Sequence, residues 1–506
     1  MRSAGLAALS GVLYFLGFIG FGYWPLVFLF PAVLLAALEG RTVRQAFLLG
    51  ALAGFVGMCG GYYWLVHLLQ AFAGLSLPLA LLGYALLNAY QGALWGLAAA
   101  LCAYGRRSGL PTVLALPAAV ALAEWAYPLL FPSVVAASFL EVPQLMQLAD
   151  IGGAYLVDAW VAFVGSALFE AVAAFRRSDP KRLGQHLAGL AVSLVFVAGY
   201  GTWRLAQVDA QVATARRLEV ALIQANLGAA EKTTRRQEFL LRHQEMSRAA
   251  ISAHPQTQLV VWPEAAFNRA IPREMKDVGQ FITVGIDRPV LSGAITVLRT
   301  EDERFVYNSA ILTSSTGQVR GVYDKVKLLA FGETIPFVDR FPSLKKLFPY
   351  TGTFDRGKIL RHFQLEDGTK LLPMICYEDL LPSLVRRLWR ADGPAEVLVN
   401  VTNDSWYGDT HEPGIHLALA TLRSIETRRA LIRSTNTGIS AIVDPGGRVV
   451  AHTGQWTQEI LPASVPLIED GSTTIYLRVG DWPAWLSLFG FLGLWGWRRY
   501  GAGRRA

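Results

Sequence analysis

The chain has 506 residues, of which 53% are hydrophobic and only 17% charged, with a mean hydropathy of +0.35; an ordinary soluble protein carries about 25% charged residues. This composition excludes a disordered chain and an ordinary soluble one, and three cysteines without a CxxC or Cys/His cluster exclude a disulfide scaffold. The net charge of +8 admits nucleic acid, anionic lipid or membrane topology as its cause, and the placement of the charges decides among them.

Up to about residue 204 the sequence is a series of apolar runs separated by short breaks. The runs predict membrane helices over Leu6–Phe21, Trp24–Leu38, Ala46–Leu69, Leu77–Tyr104, Leu110–Tyr127, Gly153–Phe175 and His186–Trp203, with an eighth over Trp482–Trp497. Trp482, Trp485, Trp495 and Trp497 bracket the last run as interfacial aromatics do. Apolar sequence resumes straight after Phe21 with no small-residue cleavage site, so the first run is expected to stay as an anchor.

Basic residues fall in alternate breaks: Arg2, then Arg41 and Arg44, Arg106 and Arg107, Arg176, Arg177, Lys181 and Arg182, and the tail Arg498, Arg499, Arg504 and Arg505. The intervening breaks at 22–23, 70–76 and 128–152 hold no Lys or Arg. Eight crossings with both termini cytoplasmic fit the positive-inside rule at every loop, which puts the segment of about 205–480 outside the cytoplasm. The expected organisation is a membrane domain at 1–204, an extracytoplasmic domain at 205–480, and a final helix with a basic cytoplasmic tail at 481–506. The cytoplasmic positions set thirteen Lys and Arg against Glu39 and Asp179, a surplus larger than the whole chain's +8. The extracytoplasmic part is therefore slightly acidic, and nucleic acid drops out as a partner.

Within that part, β-rich runs end in polar residues: Leu218–Asn226, Gln258–Glu264, Pro289–Val297, Lys370–Glu378 and Val397–Asp404. Ala230–Ala253 and Gly414–Leu431 have helical length and spacing. Strands alternating with helices predict a layered α/β domain.

Cys59 and Cys102 lie in predicted membrane helices, leaving Cys376 as the only cysteine of the extracytoplasmic domain, at the end of the apolar run LLPMIC. A buried structural cysteine is as good a reading of it as a nucleophile. Glu264, in VVWPEAAF, is a first-turn helix acid or a catalytic carboxylate; Lys325, in VYDKVKLL, is a surface lysine or a catalytic one; Glu333 stands eight residues on, beside Gly332. In the membrane half, Glu124 and Asp158 are either helix ends at the interface, the commoner case, or functional. His411 and His416 are not spaced as a helical-face ligand pair, and no metal is expected there.

Together, WPE, YDK with FGE, ICYE and NDSWYGD resemble the nitrilase, or carbon-nitrogen hydrolase, superfamily over roughly residues 215–460, and Arg433–Gly438 (RSTNTG) is also similar. Placed after seven membrane helices and before an eighth, such a domain resembles the apolipoprotein N-acyltransferase family, membrane enzymes that complete triacylation of bacterial lipoproteins. The chain differs from that family's usual pattern near Thr233, where a tryptophan is usual, at Ala330 in place of proline, and in EWAY (Glu124–Tyr127) and LFPSV (Leu130–Val134).

The resemblance implies a polytopic α-helical membrane bundle of about eight helices plus an α-β-β-α sandwich in the periplasm, anchored in the bacterial inner membrane. It implies a Glu264-Lys325-Cys376 catalytic set, with Glu333 and Glu378 as supporting carboxylates and the Tyr377 N–H as an oxyanion donor. Glu264 would take the Cys376 proton and Lys325 would stabilise thiolate and oxyanion while a phospholipid acyl group passes through a Cys376 thioester. The acceptor would be the N-terminal amine of a diacylglyceryl-modified apolipoprotein, with no cofactor or metal and a monomeric enzyme. A membrane-tethered amidase and a non-catalytic lipoprotein-binding module are the competing expectations, and a binding module has no chemical need for all three residues.

Overall fold

The computed structural model describes the whole chain except residues 72, 229–235, 336–337, 339, 344–351, 353 and 502–506. Thr233, Arg504 and Arg505 lie outside the described residues. The chain forms two compact units, Met1–Val66 with Ser76–Ala206 and Thr474–Ala506, and His67–Leu75 with Gln207–Thr473.

The first unit is helical. Among the described residues four helices are long and apolar enough to cross a membrane: Val43–Gly61, Leu77–Arg107, Ala154–Arg176 and Pro180–Thr214. The other expected crossings differ in form. Arg2–Gly17 has 16 residues and so extends only about 24 Å, Trp24–Leu38 divides into a 3-10 turn at Trp24–Phe28 and a helix at Phe30–Leu38, and Thr112–Ala126 carries Pro117 inside it. The expected Ala46–Leu69 run ends as a helix at Gly61, with a separate short helix at Leu65–Ala71. Trp482–Gly501 forms a helix of 20 residues.

Thr42 opens the Val43–Gly61 helix with a capping box, its hydroxyl accepting the Gln45 N–H while the Gln45 side chain accepts the Thr42 N–H. That helix lies directly against Leu77–Arg107, where a Cβ at Gly54 would come within 2.1 Å of the Gly92 carbonyl oxygen. Small residues at such a contact let two backbones approach and gain dispersion, the main attraction available between helices in lipid.

Asp158 and Glu124 lie near helix ends, as expected, but are buried inside the protein: Glu124 in the last turn of Thr112–Ala126 and Asp158 near the start of Ala154–Arg176. The Asp158 carboxylate accepts the N–H groups of Val135 and Ala136, each at 2.6 Å. It thereby satisfies the orphan donors that open the buried 3-10 turn Val135–Phe139.

The second unit holds two sheets. The first contains β1 (Arg216–Gln224), β2 (Leu259–Val261), β3 (Phe267–Pro272), β4 (Val290–Arg299), β5 (Arg304–Thr313), β6 (Val319–Asp324) and β13 (Glu459–Leu467), in the order β13-β1-β2-β4-β5-β6 with β3 beside β4. The second contains β7 (Phe363–Gln364), β8 (Lys370–Ile375), β9 (Val397–Val401), β10 (Ala430–Ser434), β11 (Ala441–Val443) and β12 (Val449–His452), in the order β12-β11-β10-β9-β8-β7. β1, β2 and β4 run parallel, as do β8, β9 and β10. The residues of β2 and β9 are buried throughout, as apolar central parallel strands covered on both faces must be.

The sheets face one another: the Ser434 hydroxyl on β10 donates to the Val261 carbonyl on β2 at 3.2 Å. The Arg236–Ala253 helix, whose expected first residues 230–235 lie outside the described ones, packs on the first sheet, and Glu412–Thr427 packs on the second. The layering is that of the expected α-β-β-α sandwich. The five expected strands and two helices are present with shifted ends, while β3, β5, β6, β7 and the strands after residue 428 lie outside the expected set.

Candidate active site

Three strand ends converge from the two sheets. Glu264 follows β2 through Trp262 and Pro263. Trp262 is fully buried, its indole donating to the Ser247 hydroxyl at 2.8 Å and its backbone N–H to the Leu291 carbonyl at 2.8 Å. These two bonds fix the segment from which the carboxylate emerges. Gly293 on β4 must lack a side chain, because a Cβ there would lie 2.5 Å from the Glu264 Cα.

Lys325 follows β6, and its N–H donates to the Asn308 carbonyl of β5 at 2.8 Å. Its side chain is buried, so the surface-lysine reading does not hold. The ammonium lies 3.4 Å from Glu264 Oε1 and 2.9 Å from the Glu333 carboxylate. Glu333 is held in turn by the Leu329 N–H at 2.9 Å. One residue outside the sequence-based set completes this group: the Asn308 amide donates to Glu264 at 2.7 Å and to Glu333 at 2.8 Å.

Cys376 ends β8 and adopts φ +50°, a left-handed conformation that non-glycine residues rarely take and that clusters at functional sites. It opens the 3-10 turn Cys376–Leu380, so the Tyr377 N–H stands at the second position, in the first turn. The Asn400 amide of β9 holds the Cys376 carbonyl at 3.0 Å.

Glu378 joins the two sheets. Its carboxylate accepts the N–H groups of Val326 at 2.7 Å and Lys327 at 2.9 Å, immediately after Lys325. It also accepts the Ile375 N–H at 3.0 Å, immediately before Cys376, and the Tyr323 hydroxyl at 3.0 Å. This fixes the lysine segment relative to the cysteine segment.

Burial opposes charge on Lys325, yet the carboxylates of Glu264 and Glu333 and the neighbouring Cys376 outweigh it and hold the ammonium well above its ordinary value. Burial, and then the Glu264 carboxylate, push the Cys376 thiol well above its ordinary range, against the pull of Lys325 and a hydrogen bond from Thr402. At rest Cys376 is therefore a thiol beside a cation, and a nucleophilic role for it would require a base to remove its proton during attack. Burial raises Glu378 to about 7, although three backbone N–H groups and the Lys325 charge pull it down. Burial raises the Tyr377 phenol to about 12, so Tyr377 stays neutral.

His416, on Glu412–Thr427, is separated in role from His411, the N-cap of that helix. Asp404, Glu412 and His416 bring ligand-type atoms within 4.8 Å of one another. They do not suit a metal: His416 Nε2 faces Asp379 at 2.9 Å and Nδ1 faces Asp404 at 3.1 Å, and carboxylates accept only, so both ring nitrogens carry protons. Asp404 is also paired with Arg433 at 3.1 Å. Cys59 and Cys102 are free thiols on helices of the other unit.

The sequence matches two family models: Apolipoprotein N-acyltransferase N-terminal domain at residues 10–167 and Carbon-nitrogen hydrolase at residues 219–472. It is 30% identical to an apolipoprotein N-acyltransferase of Geobacter metallireducens over 96% of this chain and 93% of that one. It is 29% identical to that of Bdellovibrio bacteriovorus over 96% and 92%. Among solved structures it is similar to Saccharomyces cerevisiae Nit3, a nitrilase superfamily member, with 20% identity and a TM-score of 0.38, covering 52% of this chain and 94% of that one.

Proposed function

The chain belongs to the apolipoprotein N-acyltransferase family, and from that premise we propose how it moves a fatty acyl group to a lipoprotein amine through Cys376. It is a membrane-associated acyltransferase that takes an acyl donor and a lipoprotein acceptor. The observation that carries the proposed chemistry is the buried ammonium of Lys325 between Glu264 and Glu333, within electrostatic reach of a thiol held at a strained strand end.

Glu264 removes the Cys376 proton as sulfur attacks the ester carbonyl of a phospholipid such as phosphatidylethanolamine. The developing oxyanion is met by the Lys325 ammonium and the Tyr377 N–H; removing one such donor typically costs about 3 kcal/mol. As the tetrahedral intermediate collapses, Glu264 returns the proton to the departing lysophospholipid alkoxide, and a thioester remains on Cys376. The neutral α-amine of a diacylglyceryl-modified N-terminal cysteine then attacks the thioester, Glu264 accepts its proton, and the proton returns to sulfur as the amide leaves. Glu333 and Glu378 position Lys325 and the cysteine turn.

Eight crossings of the bacterial inner membrane, with both termini cytoplasmic and the two-sheet domain in the periplasm, are supported by the alternation of basic breaks and by the four long apolar helices. Labelling of a Ser472→Cys variant by a membrane-impermeant maleimide from the periplasmic side checks this, and labelling only from the cytoplasmic side would reject it.

The chemistry is tested by transfer from labelled phosphatidylethanolamine to a diacylated lipopeptide, with intact mass of the enzyme. Wild type gains one acyl increment and Cys376→Ala gains none. An acyl increment that persists in Cys376→Ala would sink the thioester.

A further inference from the structure

Behind the cysteine turn lies a set of charged groups that the proposed mechanism leaves unused. Asp379, Asp404, His416 and Arg433 all have side chains no more than 1% exposed. His416 bridges the two carboxylates through its two ring nitrogens, and Arg433 spans the same pair, at 3.1 Å from Asp404 and 3.7 Å from Asp379. Two cations and two anions alternate around a closed ring, each with two opposite neighbours, and the adjacent carboxyl of Glu412, which burial and then Asp404 push well above its ordinary value, adds no charge to them. An arrangement of this kind tolerates burial only while every member is present.

Its attachments point at the nucleophile. Asp379 is three residues after Cys376 in the same 3-10 turn. Asp404 is two residues after Thr402, whose hydroxyl bonds the Cys376 thiol and lies 3.5 Å from Asp404 Oδ1. The Thr402 carbonyl also accepts the Glu264 backbone N–H at 3.4 Å. His416 therefore stands between the turn that carries the sulfur and the loop that touches both sulfur and base.

We propose that His416 is a positioning residue for the acyl transfer: by bridging Asp379 and Asp404 it holds the Cys376 turn in its left-handed conformation and in register with Glu264. The ring acts as one brace, and a neutral side chain at 416 leaves it with an unbalanced anion that pulls the turn toward Arg433. This inference rests on the thioester reading above.

The test uses the full-length enzyme in detergent and follows lysophospholipid release in a single turnover and in the steady state. His416→Gln should lower the acylation rate about 100-fold, the scale of a misplacement of about 1 Å, with KM for phosphatidylethanolamine within twofold of wild type. Asp379→Asn/His416→Gln removes one anion and one cation together, restores neutrality, and should regain at least tenfold. A folded His416→Gln enzyme with a wild-type acylation rate, or one that loses only in KM, overturns the proposal. Should His416→Gln not fold, Asp379→Asn is compared with the double variant: a faster double variant supports the brace, and an equal or slower one overturns it. Wild type run in parallel separates the two levels, because absence of acyl-Cys376 in wild type removes the thioester reading itself, whereas acylated wild type with an equally fast His416→Gln removes only the brace.

Discussion

Asn308 spans Glu264 and Glu333 with one amide nitrogen, 2.7 Å from the first carboxylate and 2.8 Å from the second. Two carboxyl groups flank one ammonium there, and the amide donor between them bonds both and holds them apart. Replacing it with Leu removes charge-assisted hydrogen bonds of about 2 kcal/mol, which corresponds to about 30-fold. Asn308→Leu is expected to slow lysophospholipid release by at least that factor while the protein stays folded, and release at the wild-type rate would show that Lys325 alone holds the pair.

The thiol's environment gives a second expectation. Burial and the Glu264 carboxylate raise Cys376 well above an ordinary thiol, so at pH 7 to 8 its thiolate fraction lies below that of a free cysteine of pKa about 8.5. Alkylation of Cys376 by iodoacetamide, followed by mass spectrometry, should be slower than that of glutathione at pH 7.5 and should still be rising at pH 9. A rate that reaches a plateau below pH 7 would contradict the resting thiol.

Glu378 titrates where activity can be read. Burial lifts it to about 7, and only the ionised form can accept from Val326, Lys327, Ile375 and Tyr323 at once. Activity should therefore fall as pH drops through 7, and Glu378→Gln should be poorly active with this limb absent. The linkage runs the other way: a folded value raised above the unfolded value of about 4.5 contributes stability that is present below pH 4.5 and lost between pH 4.5 and 7. Folding thus favours the protonated carboxyl and chemistry the ionised one. A kcat profile flat from pH 5.5 to 8 would remove Glu378 from this role.

Asp158 concerns the membrane unit alone. Loss of its bonds to the Val135 and Ala136 N–H groups leaves two buried donors unmet, at about 1–3 kcal/mol each. Asp158→Ala should lower the unfolding temperature in detergent and the yield of folded enzyme, with acylation per folded molecule within about threefold of wild type. An unchanged melting temperature would mean that another group meets those donors.

Much of this arrangement was legible beforehand, for identifiable reasons. Glu264 and Cys376 follow apolar strands, where a polar residue after a buried run is conspicuous: Glu264 lies three residues past the end of β2 and Cys376 one residue past the end of β8. Lys325 was legible only through its resemblance-based spacing, since nothing in VYDKVKLL distinguishes a buried lysine from a solvated one. Asn308 was not visible: it lies inside β5, a strand without an apolar run long enough to stand out, and its partners are 25 and 44 residues away. The interior role of Asp158 was missed for a similar reason, because its partners are backbone N–H groups 22 and 23 residues away that no side-chain pattern records.

The sheets that face each other across Ser434 and Val261 divide the reacting groups between them: Glu264 and Lys325 extend from one, Cys376 from the other. Neither sheet carries a competent nucleophile by itself. A chain with only its first sheet formed holds a base and a cation with no sulfur to act on, and a chain with only its second holds an inert thiol. On the proposed mechanism the nucleophile meets its base and cation only once the two sheets have packed, so a chain with either sheet alone lacks a complete Glu264-Lys325-Cys376 set.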